Sequence, residues 1–259
     1  MEPRIDEIAE GIHRISTFVP PEAIPPHGFT FNQFLITGEE PLLYHTGMRQ
    51  LYPAVSAAVD RIIGLGRLRW IAFSHIEADE CGAMNDFLAA CPNAEVIHGR
   101  LGVDLSLGDM ADRPPRVWED GEVLEIGDHA LTRRVQRFDT PHVPHNWEAQ
   151  VVFEETTGTL FSGDLGTQLG DPPALTEDDI IEGAIEAESM YRQSSSLSAW
   201  ITTVRMLADL APRTLAIMHG SSYTGDGGAM LKRLAAAYED RFSDLGFATE
   251  PPGVTLLTR

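Results

Sequence analysis

The residues Ser74-His75-Ile76-Glu77-Ala78-Asp79-Glu80-Cys81-Gly82 follow at once on an apolar run, Leu68 to Ser74. His75, Glu77 and Asp79 alternate at i, i+2 and i+4. Ligands at the carboxyl end of a buried strand sit at the sheet edge, where open α/β folds place their sites. One imidazole and two carboxylates clustered there make a hard, oxygen-rich metal site. A polar loop at a strand end accounts for an isolated HxExD equally well. The motif is not isolated, however. His142 and His145 lie in TPHVPHNWEAQ, Asp164 in TLFSGDLG and His219 in LAIMHGSS. Four predicted strand ends each deliver a metal-capable side chain, which favours a shared site over coincidence.

The elements that must position these residues read as follows. Phe29 to Ile36, Pro41 to Tyr44, Leu68 to Ser74 and Ala94 to His98 are predicted strands. Leu51 to Ile63, with Val55, Ala58, Val59, Ile62 and Ile63 at helical spacing, and Cys81 to Ala90 are predicted helices. Val117 to Thr140 is β-rich. Gln150 to Glu154 and Thr159 to Ser162 flank Glu155-Thr156-Thr157-Gly158, a hairpin pattern. Helices are then expected at about Thr176 to Gln193 and Ser196 to Leu210, a strand at Thr214 to Met218, and a last helix at about Asp226 to Phe242. This rhythm implies layers of sheet and helix. Pro-rich Val19 to Pro26 reads as a surface loop. Asp171 to Met190 carries seven acids and no base and reads as a solvated helix face.

Composition narrows the functional classes. With 19 Lys+Arg against 39 Asp+Glu, the formal charge of the 259-residue chain is −20, which argues against nucleic acid and anionic membranes as partners. Two cysteines cannot build a disulfide framework or a four-cysteine zinc site, and they fit a reducing compartment. The N-terminus lacks the apolar core of a signal peptide, and no apolar run approaches about 20 residues, so a cytoplasmic protein is expected. Nucleotide chemistry has no positive sign: GxxxxGK[ST] and strand-linked GxGxxG are lacking, and Gly225-Asp226-Gly227-Gly228 reads as a helix cap.

The order HxExD, His, Asp, His resembles the metallo-β-lactamase superfamily, whose usual motif begins HxHxDH. The Glu at its third position resembles the diiron domain of flavodiiron proteins and the related oxygen-binding diiron proteins. Phe31-Asn32-Gln33-Phe34-Leu35-Ile36 is similar to that family's early strand, and Leu160-Phe161-Ser162-Gly163-Asp164 to the strand before its bridging Asp. His145-Asn146-Trp147-Glu148 resembles its His-Trp-Pro-Asp segment, with Asn146 inserted. The resemblance spans the chain and implies one domain over residues 1–259. Its fold would be an α/β (α+β), four-layer αββα sandwich of two mixed sheets flanked by helices, with no flavodoxin domain and no FMN within the chain.

Carried over residue by residue, the resemblance implies that His75, Glu77 and His145 hold one metal, Asp79 and His219 a second, and that Asp164 bridges them. The protein charge would be about −3 against about +4 for two divalent ions, which leaves room for an oxo or hydroxo bridge. The implied metals are two irons, with zinc or manganese as alternatives; a carboxylate in place of imidazole favours iron or manganese over zinc. The implied function is binding of O₂ or NO, with reduction by an external flavoprotein or rubredoxin-like donor, or with sensing. The alternative is a dinuclear hydrolase acting on an ester, lactone, thioester or phosphodiester. Glu80 stands where those hydrolases have the final, ligating His of HxHxDH, which counts against the alternative. His45 stands in Tyr44-His45-Thr46-Gly47, where the superfamily has Asp-Thr-Gly. Glu80, His45 and His142 are candidates for supporting the ligands, and Trp147 and Tyr223 for walling the pocket. The relatives pair head to tail, with a flavin facing the partner's metals. That arrangement is not expected here, and a homodimer is left open.

Overall fold

The computed structural model describes residues 2–127 and 132–243. Its strands form two seven-stranded mixed sheets. The first runs in chain order: β1 (Arg4–Ala9), β2 (Ile12–Val19), β3 (Phe29–Ile36), β4 (Leu42–Tyr44), β5 (Trp70–Ala72), β6 (Glu95–His98) and β7 (Arg116–Val117). The second is built from β8 (Val123–Gly127), β9 (Thr132–Asp139), β10 (Gln150–Glu154), β11 (Thr159–Gly163), β12 (Leu175–Thr176), β13 (Thr214–Ile217) and β14 (Ser222–Thr224). Its spatial order is β12-β14-β13-β11-β10-β9-β8.

Side-chain alternation along the strands explains the layering. Phe34, Ile36, Leu42, Tyr44, Trp70 and Ala72 face inward and meet Val135, Val152, Phe161 and Ala216 of the second sheet. The intervening Leu35, Leu43 and Ile71 face outward, against α1 (Tyr52–Ile63) and α3 (Met84–Ala90). On the far side, Val151, Leu160, Leu215 and Ile217 pack against α5 (Ile181–Tyr191), α6 (Leu197–Ala208) and α7 (Gly227–Phe242). Between them lie α2 (Ala78–Cys81) and a helical stretch, α4, at residues 100–110. The layers are helix, sheet, sheet, helix: the expected αββα sandwich. Strands buried on both faces must be apolar throughout, which is why β3 to β5 read so plainly. The described helices include none long and apolar enough to cross a membrane.

Several expectations need revision. The N-terminal hairpin β1–β2 went unread, and β2 claims Val19 from the predicted loop. The predicted helix from Cys81 is broken: α2 ends at Cys81 and α3 begins at Met84. Gly82 fits the break because a Cβ there would lie 2.2 Å from the Ala78 carbonyl oxygen. The helix expected from Thr176 starts at Ile181, because Thr176 pairs in parallel with Tyr223 and Asp179 turns the chain by accepting from the Ile181 amide at 2.8 Å. Part of the predicted β-rich stretch, at residues 128–131, lies outside the described residues. The acidic run is not simply solvated either. Asp171 pairs with Arg4, Asp179 with Arg233 and Glu182 with Arg241, while Glu188 is buried and accepts from Ser194. Asp226 caps α7 by accepting from the Ala229 amide at 2.8 Å.

Two of the outer helices meet through an aromatic pair. Trp200 of α6 and Tyr238 of α7 stack with centroids 3.8 Å apart and rings 6° from parallel. Both are fully buried. Trp200→Ala is expected to destabilise the protein by about 3–5 kcal/mol, read as a lowered midpoint in denaturant unfolding.

Candidate metal centre

The two sheets present their strand ends at one edge. β11 and β13 run in parallel, so Asp164 and His219 leave neighbouring strands in the same direction. The first sheet is tied to them by the Asn32 amide, which donates to the Met218 carbonyl at 3.0 Å. The Gln150 amide donates to the Ser74 carbonyl at 2.8 Å, and its side chain to the Phe73 carbonyl at 2.9 Å. These bonds fasten the loop after β5 to the second sheet. Glu77 is still extended, at φ −132° and ψ 161°, and α2 starts directly after it. The switch from extended to helical chain keeps Asp79 beside the site and turns Glu80 back beneath Ser74.

His75, Glu77, His145 and Asp164 each offer a ligand atom, and these atoms lie within 4.8 Å of one another. The two oxygens of Asp164 face opposite ways. Oδ2 lies 3.3 Å from His145 Nε2 and 3.7 Å from His75 Nε2. Oδ1 lies 3.2 Å from His219 Nε2, which is also 3.4 Å from Asp79 Oδ2. Two half-sites, each with imidazole and carboxylate, therefore share one carboxylate. His75 Nε2 and Asp164 Oδ1 are buried without an aligned hydrogen bond. Convergent lone pairs left over inside a protein are what a cation would satisfy, so the donor set fits a pair of metals.

The remaining nitrogens are also held. His219 Nδ1 donates to the Thr30 carbonyl at 2.7 Å, which turns its Nε2 lone pair to the centre. His145 Nδ1 lies 3.2 Å from Asn146 Oδ1, and His75 Nδ1 2.9 Å from Ser74 Oγ. Glu148 Oε1 accepts from the Ile76 amide at 3.0 Å and braces the loop between two ligand positions. Phe29 stacks on His219 with centroids 4.0 Å apart, and Phe31 meets it edge-on. Tyr191 meets Phe29 in turn. Glu77 is about half exposed, so the centre opens to solvent on that side.

The electrostatics follow from the crowding. Burial lowers the basicity of His75, but Glu80, Glu77 and Asp164 outweigh it and hold its pKa up at about 10. His219 is likewise held at about 10 by Asp164 and Asp79 against the opposing effect of burial. Burial would raise the pKa of Asp164, yet His145, His219 and His75 hold it well below the carboxylate range. The metal-free centre therefore carries at least two imidazoliums at neutral pH, and a metal must displace their protons. At pH 7.5, saturating zinc is expected to release about two protons per chain, read by calorimetry in buffers of different ionisation enthalpy. Apparent affinity should rise with pH until about 10. The stability that these raised pKa values give the metal-free protein is complete below about 6.5 and is lost as pH rises through about 10.

The structure thus brings together His75, Glu77, Asp79, His145, Asp164 and His219. Glu80, 1% exposed, and His45, fully buried, lie directly behind His75. His142 is exposed in a turn at φ 64°, and its backbone amide donates to the Asn146 carbonyl at 2.7 Å, so it braces the His145 turn through its main chain. Trp147 is 54% exposed, and Tyr223 packs into the outer core with its hydroxyl beside Gly225, so Phe29, Phe31 and Tyr191 form the wall instead. Ser74, Asn146, Glu148 and Thr30 were missed. Asn146 carried a signal, since an inserted Asn suits the left-handed φ of 63° found there. The Thr30 contribution is a backbone carbonyl, which no side-chain pattern reveals.

Comparison with known proteins places the fold. A family model described as ODP family beta lactamase matches residues 29–220. The putative diflavin flavoprotein A 1 of a Nostoc species is 25% identical over 202 residues, covering 75% of this chain and 34% of that protein. The rubredoxin oxygen:oxidoreductase from Desulfovibrio gigas superimposes with a TM-score of 0.78 at 19% identity, over 91% of this chain and 62% of that one. The Flv1 flavodiiron core from Synechocystis gives a TM-score of 0.80 at 16% identity, over 94% and 62%. The chain spans about a third of that curated relative and under two thirds of those structures. Two mixed sheets flanked by helices, and a matched stretch that runs from β3 through every loop with a candidate ligand to His219, give the assignment: the chain belongs to the ODP family of beta-lactamase-fold proteins.

Proposed function

We propose that this domain holds two irons and binds O₂ or NO at them. The observation that carries the reading is the divided Asp164 carboxylate, with His145 and His75 on one oxygen and His219 on the other. His75, Glu77 and His145 would hold one metal, Asp79 and His219 the other, with Asp164 shared. When bound, two irons supply a pair of one-electron reductants beside an open coordination position. The chain's residues do the rest. The Thr30 carbonyl, Asn146 and Ser74 fix the three imidazoles so that Nε2 faces inward. Phe29 and Phe31 shield His219 from water on one side. The half-exposed Glu77 marks the side by which a small molecule enters.

A rubredoxin-type or flavoprotein donor would supply electrons from outside, in keeping with the name of the D. gigas relative. A net charge of −20 disfavours docking of an acidic donor, which inclines the reading toward a binder or sensor. The hydrolase reading loses ground because the Glu80 carboxylate engages Ser74 and His45 and is not offered as a ligand. The test is to reduce the iron-loaded protein anaerobically and add one equivalent of O₂. Uptake with a persistent new absorption supports binding, and repeated consumption with a donor present supports reduction. A protein that takes up no O₂ or NO and hydrolyses an ester or lactone would overturn the proposal.

A further inference from the structure

Behind His75 lies a buried polar relay. Glu80 Oε2 accepts from the Ser74 amide at 3.0 Å, the His75 amide at 3.3 Å and the Ser74 hydroxyl at 2.5 Å. An oxygen that accepts two backbone N–H groups carries no proton, so the single hydroxyl proton of Ser74 points to Glu80. Ser74 Oγ is then only an acceptor toward His75 Nδ1, 2.9 Å away. Nδ1 must therefore carry a proton, which leaves Nε2 as the nitrogen that faces the centre and would take a metal in place of its own proton. Direct contact from Glu80 does not do this: its Oε1 is 3.6 Å from His75 Nδ1 and lacks an aligned hydrogen bond.

The same oxygen faces His45, whose Nε2 lies 3.2 Å from Oε2 as a close ion-pair contact without an aligned hydrogen bond. The loop carrying His45 also grips the backbone of residue 80. The Thr46 amide donates to the Glu80 carbonyl at 2.7 Å, and the Thr46 hydroxyl to the same oxygen at 3.2 Å. His45 and Glu80 are two of the positions at which the motifs depart from the superfamily pattern, and they touch. A buried carboxylate needs a partner of this kind, since an unpartnered one is strongly destabilising.

We infer that Glu80 and Ser74 are positioning residues that set the tautomer and donor strength of His75, with His45 as the buried partner of Glu80. A carboxylate acting on a ligating imidazole through its second nitrogen raises the imidazole's basicity. Here the effect passes through one hydroxyl. The inference rests on His75 holding a metal, as proposed above.

Cobalt(II) is the probe, with affinity measured by competition against a chromophoric chelator on the full chain. Glu80→Gln and Ser74→Ala are each expected to weaken cobalt binding about 10- to 100-fold. Because both act along one path, the double variant should bind no more weakly than about the worse single variant. In the cobalt-loaded protein, the exchangeable Nδ1–H proton resonance of His75 should move in both variants, while those of His145 and His219 stay in place. A merely structural role would not select one imidazole in this way. If Glu80→Gln does not fold, Ser74→Ala carries the test alone through affinity and resonance. Affinities within about threefold of the parent in every folded variant, or losses that add in the double variant, would overturn the relay. A parent protein that binds no cobalt would instead sink the metal-centre reading itself, so the two failures are distinguishable.

Discussion

Asp164→Ala is expected to empty both half-sites, leaving well under one metal per chain after gel filtration of protein loaded with iron or zinc. The carboxylate is the one group whose two oxygens reach His145 and His75 on one side and His219 on the other. Its removal leaves three imidazoles crowded around a cavity, with Glu77 and Asp79 at the rim and Glu80 behind His75 to offset their charge. It also removes the anion that, with its neighbours, keeps His75 and His219 proton-loaded. Asp164→Asn, nearly the same shape without the charge, should lose most of the metal as well. Retention of a full pair by Asp164→Ala would remove this residue from the shared position.

Metal removal is expected to have the second large effect. A ligand that binds only the folded state, present at about a thousandfold over its dissociation constant, adds about 4 kcal/mol. For a domain of this size each kcal/mol moves the melting temperature by about 2–4 °C. Chelation should therefore lower the melting temperature by roughly 8 °C or more for each metal lost, with the circular dichroism of the folded state retained. The metal-free protein is expected to stay folded, because protonated His75 and His219 stand among Asp164, Glu77 and Asp79 as substitute cations. That substitution works only while the imidazoles hold their protons. The gap between loaded and stripped protein should widen as pH rises toward about 10. A scanning fluorimetry series across pH, with and without chelator, reads both effects.

The parts of the fold that were legible in the sequence are those that physics makes redundant. β3 to β5 are buried on both faces, so their apolar runs had one reading. α1 and α6 each bury one stripe, and the period showed it. The β1–β2 hairpin was illegible for the opposite reason. Its buried positions include Arg14 and Ser16 on the inward face and Thr17 on the other. Arg14 donates to the Gly220 carbonyl at 3.0 Å, a partner that lies more than 200 residues on. No local pattern marks a strand whose buried face is polar.

The centre divides in the same way. Its six candidate ligands announced themselves as metal-capable side chains after strand ends. What the sequence did not disclose is direction. Trp147 and Tyr223 stand near ligands along the chain, yet one faces solvent and the other the outer core. Phe29 and Tyr191 stand far from His219 in sequence and wall it in space. Glu80 is adjacent to Asp79 and could have faced either way until α2 fixed its rotation beneath Ser74. Of the imidazole partners, Ser74 and Asn146 are sequence neighbours of His75 and His145, whereas Thr30 and His219 are separated by most of the chain.

The central claim is that this site holds a redox-active pair of irons. Metal analysis of protein isolated without chelators, followed by an optical spectrum before and after adding O₂ to the anaerobically reduced sample, tests it most directly. About two irons per chain are expected, with a new visible absorption that forms on adding O₂. Two zincs per chain with no spectral response to O₂ and with ester or lactone hydrolysis would contradict it.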